Sequence, residues 1–172
     1  MRGGIALGLL ALFLVGGCAA GGVSGAAQVQ VEPITGEGIK RLIRERKAPA
    51  ALVNVWATWC SPCVEEFPEL VRLQRDFQGK GLEMIFVSAD LESNLPAVKA
   101  FLAGQGVRGR THIKTGRDME FIEALSSQWS GAIPATFVFD RGGQLRGFRE
   151  GKADYATFSR MVNEVLGAGR NE

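Results

Sequence analysis

An α/β fold, with a mixed central sheet covered by helices on both faces, is what these 172 residues predict. Three observations point to it. Apolar runs of strand length alternate with segments of helical periodicity, a glycine-punctuated strand pair follows late in the chain, and an amphipathic helix closes it. The length suits one domain with a full core and not comfortably two. Hydrophobic residues at 46% and charged residues at 22% are ordinary for a globular protein, and a net charge of +2 is too small to argue for a nucleic-acid partner.

Residues 36–46 read as a helix. The basic run "KRLIRERK" forms its wet face, because Glu45 interrupts it and Leu42 and Ile43 turn the other way. "ALVNVWA", residues 51–57, is a near-continuous apolar run, hence a central strand buried on both faces. Residues 61–77 carry Phe67, Leu70, Leu73 and Phe77 at helical spacing, and "GKG" ends that helix. "LEMIFVS", residues 82–88, is a second buried strand. Residues 95–103 are helical up to Gly104, "RTHIK" is strand-like, and residues 119–125 form a short helix. "ATFVFD" and "QLRGFRE" flank "RGG" as a hairpin. Phe158, Met161, Val162, Val165 and Leu166 then share one face of the closing helix.

The N-terminus stands apart. Arg2 precedes an apolar run over residues 5–15. That run is short for a membrane span, which needs about 20 residues, but suits a signal-peptide core. It ends in "LVGGCAA", which resembles the lipobox of bacterial lipoproteins, where the cysteine is acylated and the chain is cut just before it. Ordinary cleavage a little downstream and an uncleaved anchor are the alternatives. The expected organisation is a lipoprotein signal peptide over 1–17, acylated Cys18 and a small, polar, flexible tether over 18–30, a folded domain over 31–168 and a tail over 169–172. With Cys18 as the lipid attachment point, the remaining two cysteines form a pair.

That pair, Cys60 and Cys63 in "TWCSPC", could serve metal, staple or redox chemistry. A structural zinc site wants four ligands, and the chain adds only His112, with no partner at ligand spacing and no role assigned. Haem attachment needs a histidine after the second cysteine, and Val64 stands there. A disulfide closing so short a loop removes little unfolded-state entropy, so it would be a poor staple. Redox chemistry fits the local physics. Cys60 lies where strand meets helix, so unpaired N–H groups and the helix dipole favour its thiolate. Pro62 costs the first turn little, and Cys63 falls inside that turn. One thiol is then exposed and acidified while the other is sheltered, as a nucleophile and a resolving thiol require.

"WCSPC" between a buried strand and a helix resembles the thioredoxin superfamily, and more closely its extracytoplasmic, membrane-tethered TlpA/ResA-like thiol–disulfide oxidoreductases. The resemblance covers residues 52–166 and implies a thioredoxin-like fold. Its second landmark is "GAIPATFVFD", where Pro134 matches the family's cis-proline, facing the cysteines and offering backbone groups to an extended substrate. Pro68 matches the proline that kinks the active-site helix. Asn54 stands where cytoplasmic thioredoxins carry a buried Asp, as in the tethered reductases, and Glu66 matches the Glu those reductases carry three residues after the second cysteine. The alternative for Glu66 is a solvated carboxylate near the helix start, which is the role left to Glu65. Departures from the pattern are a helix over 36–46 with no evident N-terminal hairpin, a lipid in place of the usual anchoring helix, and Ile133 where Thr or Val usually precedes the proline.

The resemblance implies a disulfide reductase of the bacterial envelope, serving cytochrome c maturation or the rescue of oxidised envelope proteins, and neither cofactor nor metal is expected. Cys60 would attack, Cys63 would resolve through a Cys60–Cys63 redox disulfide, and Glu66 would move a proton. Trp59, Ile133 and Pro134 would meet the substrate, and Trp56 and Trp129 would lie in the core. The implied partners are disulfide-containing envelope proteins, a membrane thiol electron donor and the membrane itself through the lipid at Cys18, with no nucleic acid, and the chain would act as a monomer. Ala19 after the lipid site points to the outer membrane if there are two membranes, facing the periplasm or the outside. The rivals are a disulfide-forming oxidase or isomerase and a non-enzymatic scaffold or metal chaperone.

Overall fold

A computed structural model describes residues 28–169. Six strands form one sheet in the order β1-β4-β3-β2-β5-β6: β1 (Gln30–Ile34), β2 (Ala50–Trp56), β3 (Leu82–Ser88), β4 (Arg110–Lys114), β5 (Ala135–Asp140) and β6 (Leu145–Glu150). The first four strands in that order run parallel, β5 pairs antiparallel with β2, and β6 pairs antiparallel with β5. The sheet is therefore mixed, as expected. Helices α1 (Gly36–Arg46) and α4 (Asp118–Leu125) contribute to the core on one face. Helices α2 (Ser61–Asp76), α3 (Leu95–Gly104) and α5 (Tyr155–Ala168) contribute to the core on the other.

Every residue of β2 is buried, and its alternation sorts the two cores. Ala51, Val53 and Val55 pack with Ile39, Ile43 and Phe121. Ala50, Leu52 and Trp56 pack with Phe67, Leu70 and Phe158. Asn54 has the same parity as the second set, so a polar amide is placed inside the core beneath α2. The expected core tryptophans, Trp56 and Trp129, are both buried.

The sequence reading missed β1. Its first residue, Gln30, falls in the segment expected to be tether, and its N–H donates to the Gly109 carbonyl at 2.8 Å. Pro33 hides the strand from pattern reading, and an edge position is where a strand tolerates proline. No hairpin stands there, since β1 pairs parallel with β4. His112 is also a correction. Expected at the surface or satisfied, it is buried within β4 with Nδ1 unpartnered, and burial pushes its pKa below the ordinary 6.5. The signal peptide expected over 1–17, the lipid site expected at Cys18, residues 19–27 of the expected tether and residues 170–172 of the expected tail lie outside the described residues. Among those described, no helix is long and apolar enough to cross a membrane.

The two helices on the α1 face meet at a glycine. A Cβ on Gly36 would lie 2.5 Å from the Ala124 Cβ and 3.0 Å from the Phe121 carbonyl oxygen. Gly36→Ala should therefore force α1 and α4 apart and cost about 1–3 kcal/mol, measured as a lower urea midpoint with unchanged m-value. An unaltered midpoint would show that this contact is slack.

Candidate active site

Helix α2 starts directly after the turn that leaves β2. Cys60 is its N-cap, with extended backbone, and Cys60 Sγ accepts the Cys63 N–H at 3.3 Å. The two cysteines are joined by a disulfide with S–S 2.04 Å. Cys60 keeps only 6% of its surface and Cys63 none. The expected asymmetry has the right sign, but Cys60 is more covered than a freely exposed thiol. Part of that cover comes from the facing loop, where the Ile133–Pro134 bond is cis and the Ile133 carbonyl oxygen lies 3.7 Å from Cys60 Sγ. In the reduced protein that carbonyl can accept a hydrogen bond from the Cys60 thiol.

Glu66 is not a solvated carboxylate. Cys63, Glu66, Phe67, Leu70 and Leu73 form the buried stripe of α2, and Glu66 is 2% exposed. Its Oε1 accepts from Asn54 Nδ2 at 3.1 Å and its Oε2 from the Ala153 N–H at 2.9 Å. Burial raises its pKa from 4.5 to about 7, although those hydrogen bonds and the positive charges of Arg149 and Lys152 oppose the rise. Glu65 points outward to solvent and pairs with Lys152 at 2.7 Å. That pair and the Ala153 bond tie α2 to the connection between β6 and α5.

Two loops are pinned by polar contacts that the sequence reading did not identify. Asp90 accepts from the Thr58 N–H at 2.9 Å, from the Thr58 hydroxyl at 2.5 Å, from the Ser88 hydroxyl at 2.7 Å and from Asn94 Nδ2 at 2.6 Å. Burial alone would raise the Asp90 pKa, but these donors outweigh it and hold the carboxyl below its ordinary value. The turn carrying Trp59 and Cys60 is thereby fixed to the end of β3. Trp59 itself is 68% exposed and lies outside the core, and Leu91, next in the chain after Asp90, is exposed too. On the facing side, Ser130 donates its N–H and hydroxyl to Glu150, and the Gly151 N–H donates to the Pro134 carbonyl at 2.8 Å. Pro68 lies inside α2 as expected. Among the described residues, no group of three His, Cys, Asp or Glu could hold a metal ion.

A disulfide at the start of the helix that follows the central strand of a mixed sheet, in contact with a cis-proline loop, defines the thioredoxin-like class. The Redoxin family model matches residues 43–164, and the chain belongs to the Redoxin family. Relatives include the thiol-disulfide oxidoreductase ResA of Bacillus thuringiensis (strain Al Hakam), 30% identical over 109 residues, which cover 63% of this chain and 59% of the relative. The thiol:disulfide interchange protein HelX of Rhodobacter capsulatus is 31% identical over 121 residues, 70% of this chain and 62% of the relative. The chain thus spans less than two thirds of the length of either. A solved thiol:disulfide interchange protein of the thioredoxin family from Chlorobium tepidum TLS is 29% identical, with a TM-score of 0.62, covering 82% of this chain and all of that one. The expected ResA-like resemblance is borne out.

Burying Glu66 has a measurable consequence for stability. Its native pKa lies above its unfolded value, so between pH 4.5 and about 7 the folded chain holds more protons than the unfolded one. Stability contributed by the neutral acid is present below pH 4.5 and is lost as pH rises through about 7. Relative to wild type, Glu66→Gln should gain about 2–3 kcal/mol on going from pH 4 to pH 8, read from urea titrations at each pH. A constant difference between the two proteins across that range would mean that Glu66 titrates as an ordinary surface carboxylate.

Proposed function

We propose that the chain is an extracytoplasmic thiol–disulfide oxidoreductase that reduces disulfides in envelope proteins. The observation that carries this is the Cys60–Cys63 pair at the start of α2, with the Cys63 N–H on Cys60 Sγ and buried Glu66 one helical turn beyond Cys63. In the reduced protein the helix N–H groups favour the Cys60 thiolate. It attacks one sulfur of a substrate disulfide; that S–S bond breaks, one substrate sulfur leaves as thiolate, and a mixed disulfide forms on Cys60. Glu66, with a pKa near the working pH, accepts the Cys63 proton. The Cys63 thiolate then attacks Cys60 Sγ and releases the second substrate thiolate. Two electrons pass to the substrate, and the chain is left with the disulfide of this structure. A membrane thiol donor would return the electrons.

The exposed Trp59 and the Ile133–Pro134 backbone flank the disulfide where an extended substrate segment would lie. Pro62 before the second cysteine supports the reducing direction, since it resembles the reducing members of the superfamily. The names of ResA and HelX support thiol–disulfide exchange as the chemistry. Acylation at Cys18 would tether a monomeric domain to the envelope membrane, at the outer membrane where there are two, and cytochrome c maturation is one process such a reductase would serve.

Cys63→Ser removes the resolving step but keeps the attack, so mixed disulfides should accumulate on Cys60 in non-reducing pull-downs from cells. Cys60→Ser should trap almost nothing. Equal trapping by the two variants would overturn the assignment of nucleophile and resolver. If neither variant traps a partner and the wild type fails to reduce insulin, the scaffold alternative replaces the reductase.

A further inference from the structure

Both hydrogen bonds to Glu66 come from donors. Asn54 Nδ2 reaches Oε1 at 3.1 Å, and the Ala153 N–H reaches Oε2 at 2.9 Å. That set suits a carboxylate. A carboxylic acid has a proton to give and needs an acceptor. The backbone amide of Ala153 cannot be reversed, whereas the side-chain amide of Asn54 can, because rotation about its last bond exchanges Nδ2 and Oδ1. The second Nδ2 hydrogen goes to the Thr136 hydroxyl oxygen at 3.0 Å, so both donor hydrogens are used. Oδ1, by contrast, is buried and has no hydrogen-bond partner. It is unused acceptor capacity beside an acid that must gain and lose a proton near neutral pH.

We propose that Asn54 is the positioning residue that follows the Glu66 proton, its amide reversing so that Oδ1 accepts from the protonated carboxyl while the Thr136 hydroxyl turns from acceptor to donor. In the ionised state Nδ2 donates to Glu66 and to Thr136. In the protonated state Oδ1 takes that place and accepts from both, and Nδ2 takes over the unpartnered position. One buried unpaired group is exchanged for another, so neither state is locked. The charged groups facing Glu66 are Arg149 of β6 and Lys152 after it, and Lys152 is shared with Glu65. They favour the ionised state and are left in place by the substitutions below.

The two grips on Glu66 converge. Thr136 follows Pro134 by two residues in β5, and Ala153 follows Gly151, whose N–H is bonded to the Pro134 carbonyl. Reversal of the Asn54 amide therefore changes the contacts of the strand that carries the facing proline. This inference rests on the reading that Glu66 moves a proton, but its test reads the proton directly and needs no turnover.

The experiment is NMR of the full chain, with Glu66 followed by its carboxyl carbon and Asn54 by its side-chain amide, from pH 5 to pH 9. The Asn54 amide signals should titrate with the same midpoint as Glu66. Thr136→Val, which removes a hydroxyl at nearly constant volume, and Asn54→Leu, which removes the donor, should each raise the Glu66 midpoint. The Asn54→Leu shift should be the larger, about tenfold in proton affinity or one pH unit. Thr136→Ser should restore the wild-type value. Asn54 signals that stay flat through the Glu66 titration overturn the proposal even if Asn54→Leu fails to fold, and so does an unshifted midpoint in folded Asn54→Leu. A matching titration in a protein that reduces no disulfide would uphold this inference and remove the reductase reading instead.

Discussion

The first turn of α2 donates its Cys63 N–H to the Cys60 sulfur, and the position of that turn is what the site depends on. Hydrogen bonding of the Cys63 N–H to Cys60 Sγ requires α2 to begin at the end of β2, with Cys60 as its cap. Once the helix begins there, its geometry decides the rest. Residues three, four, seven and ten positions beyond Cys63 fall on the same buried face. Phe67, Leu70 and Leu73 supply the apolar burial that holds α2 to the sheet, and Glu66 is carried into the interior with them. The cost of burying that carboxyl is offset by packing on either side of it and by two donors.

Two loops then have to meet the helix start from outside, and each is fixed by a carboxylate. Asp90 collects donors from Thr58, Ser88 and Asn94 and holds the turn between β2 and Cys60. Glu150 holds Ser130, and Gly151 holds Pro134, so the proline loop is fastened to the end of β6. Charge-assisted hydrogen bonds of this kind, partly buried at Asp90 and exposed at Glu150, are directional and stronger than neutral ones. They position the backbone where apolar contacts alone would leave it free to slide. Trp59 and Leu91 are exposed although each is next in the chain to an anchored residue, Thr58 and Asp90, and Trp59 directly precedes Cys60 of the disulfide.

Much of this was legible in the sequence, and the parts that were not share a cause. Long periodic segments announced α1, α2 and α5, the apolar runs announced β2 and β3, and the spacing of Cys60 and Cys63 with the motif around Pro134 announced the site. β1 was lost because an edge strand containing Pro33 has little alternation to read. The burial of Glu66 was readable in principle: it lies three after Cys63 and four before Leu70, on the apolar stripe, whereas Glu65 does not. The Asp90 cluster and the Asn54–Thr136 contact join residues 32 and 82 positions apart, and no local pattern reports such pairs. His112 read as a surface or satisfied residue because a strand-like pentapeptide does not reveal which neighbours will cover it.

The proposed redox step turns on a buried acid, Glu66, that exchanges a proton as the disulfide opens and closes. The most direct measurement is the equilibrium reduction potential of the Cys60–Cys63 couple as a function of pH, in wild type and in Glu66→Gln. If Glu66 changes its proton affinity with the state of the couple, the wild-type plot should change slope near the pKa of about 7, and that inflection should vanish in Glu66→Gln while any breaks from the thiols themselves remain. Superimposable plots for the two proteins through neutral pH would contradict the claim and leave Glu66 as a buried residue with no part in the redox step.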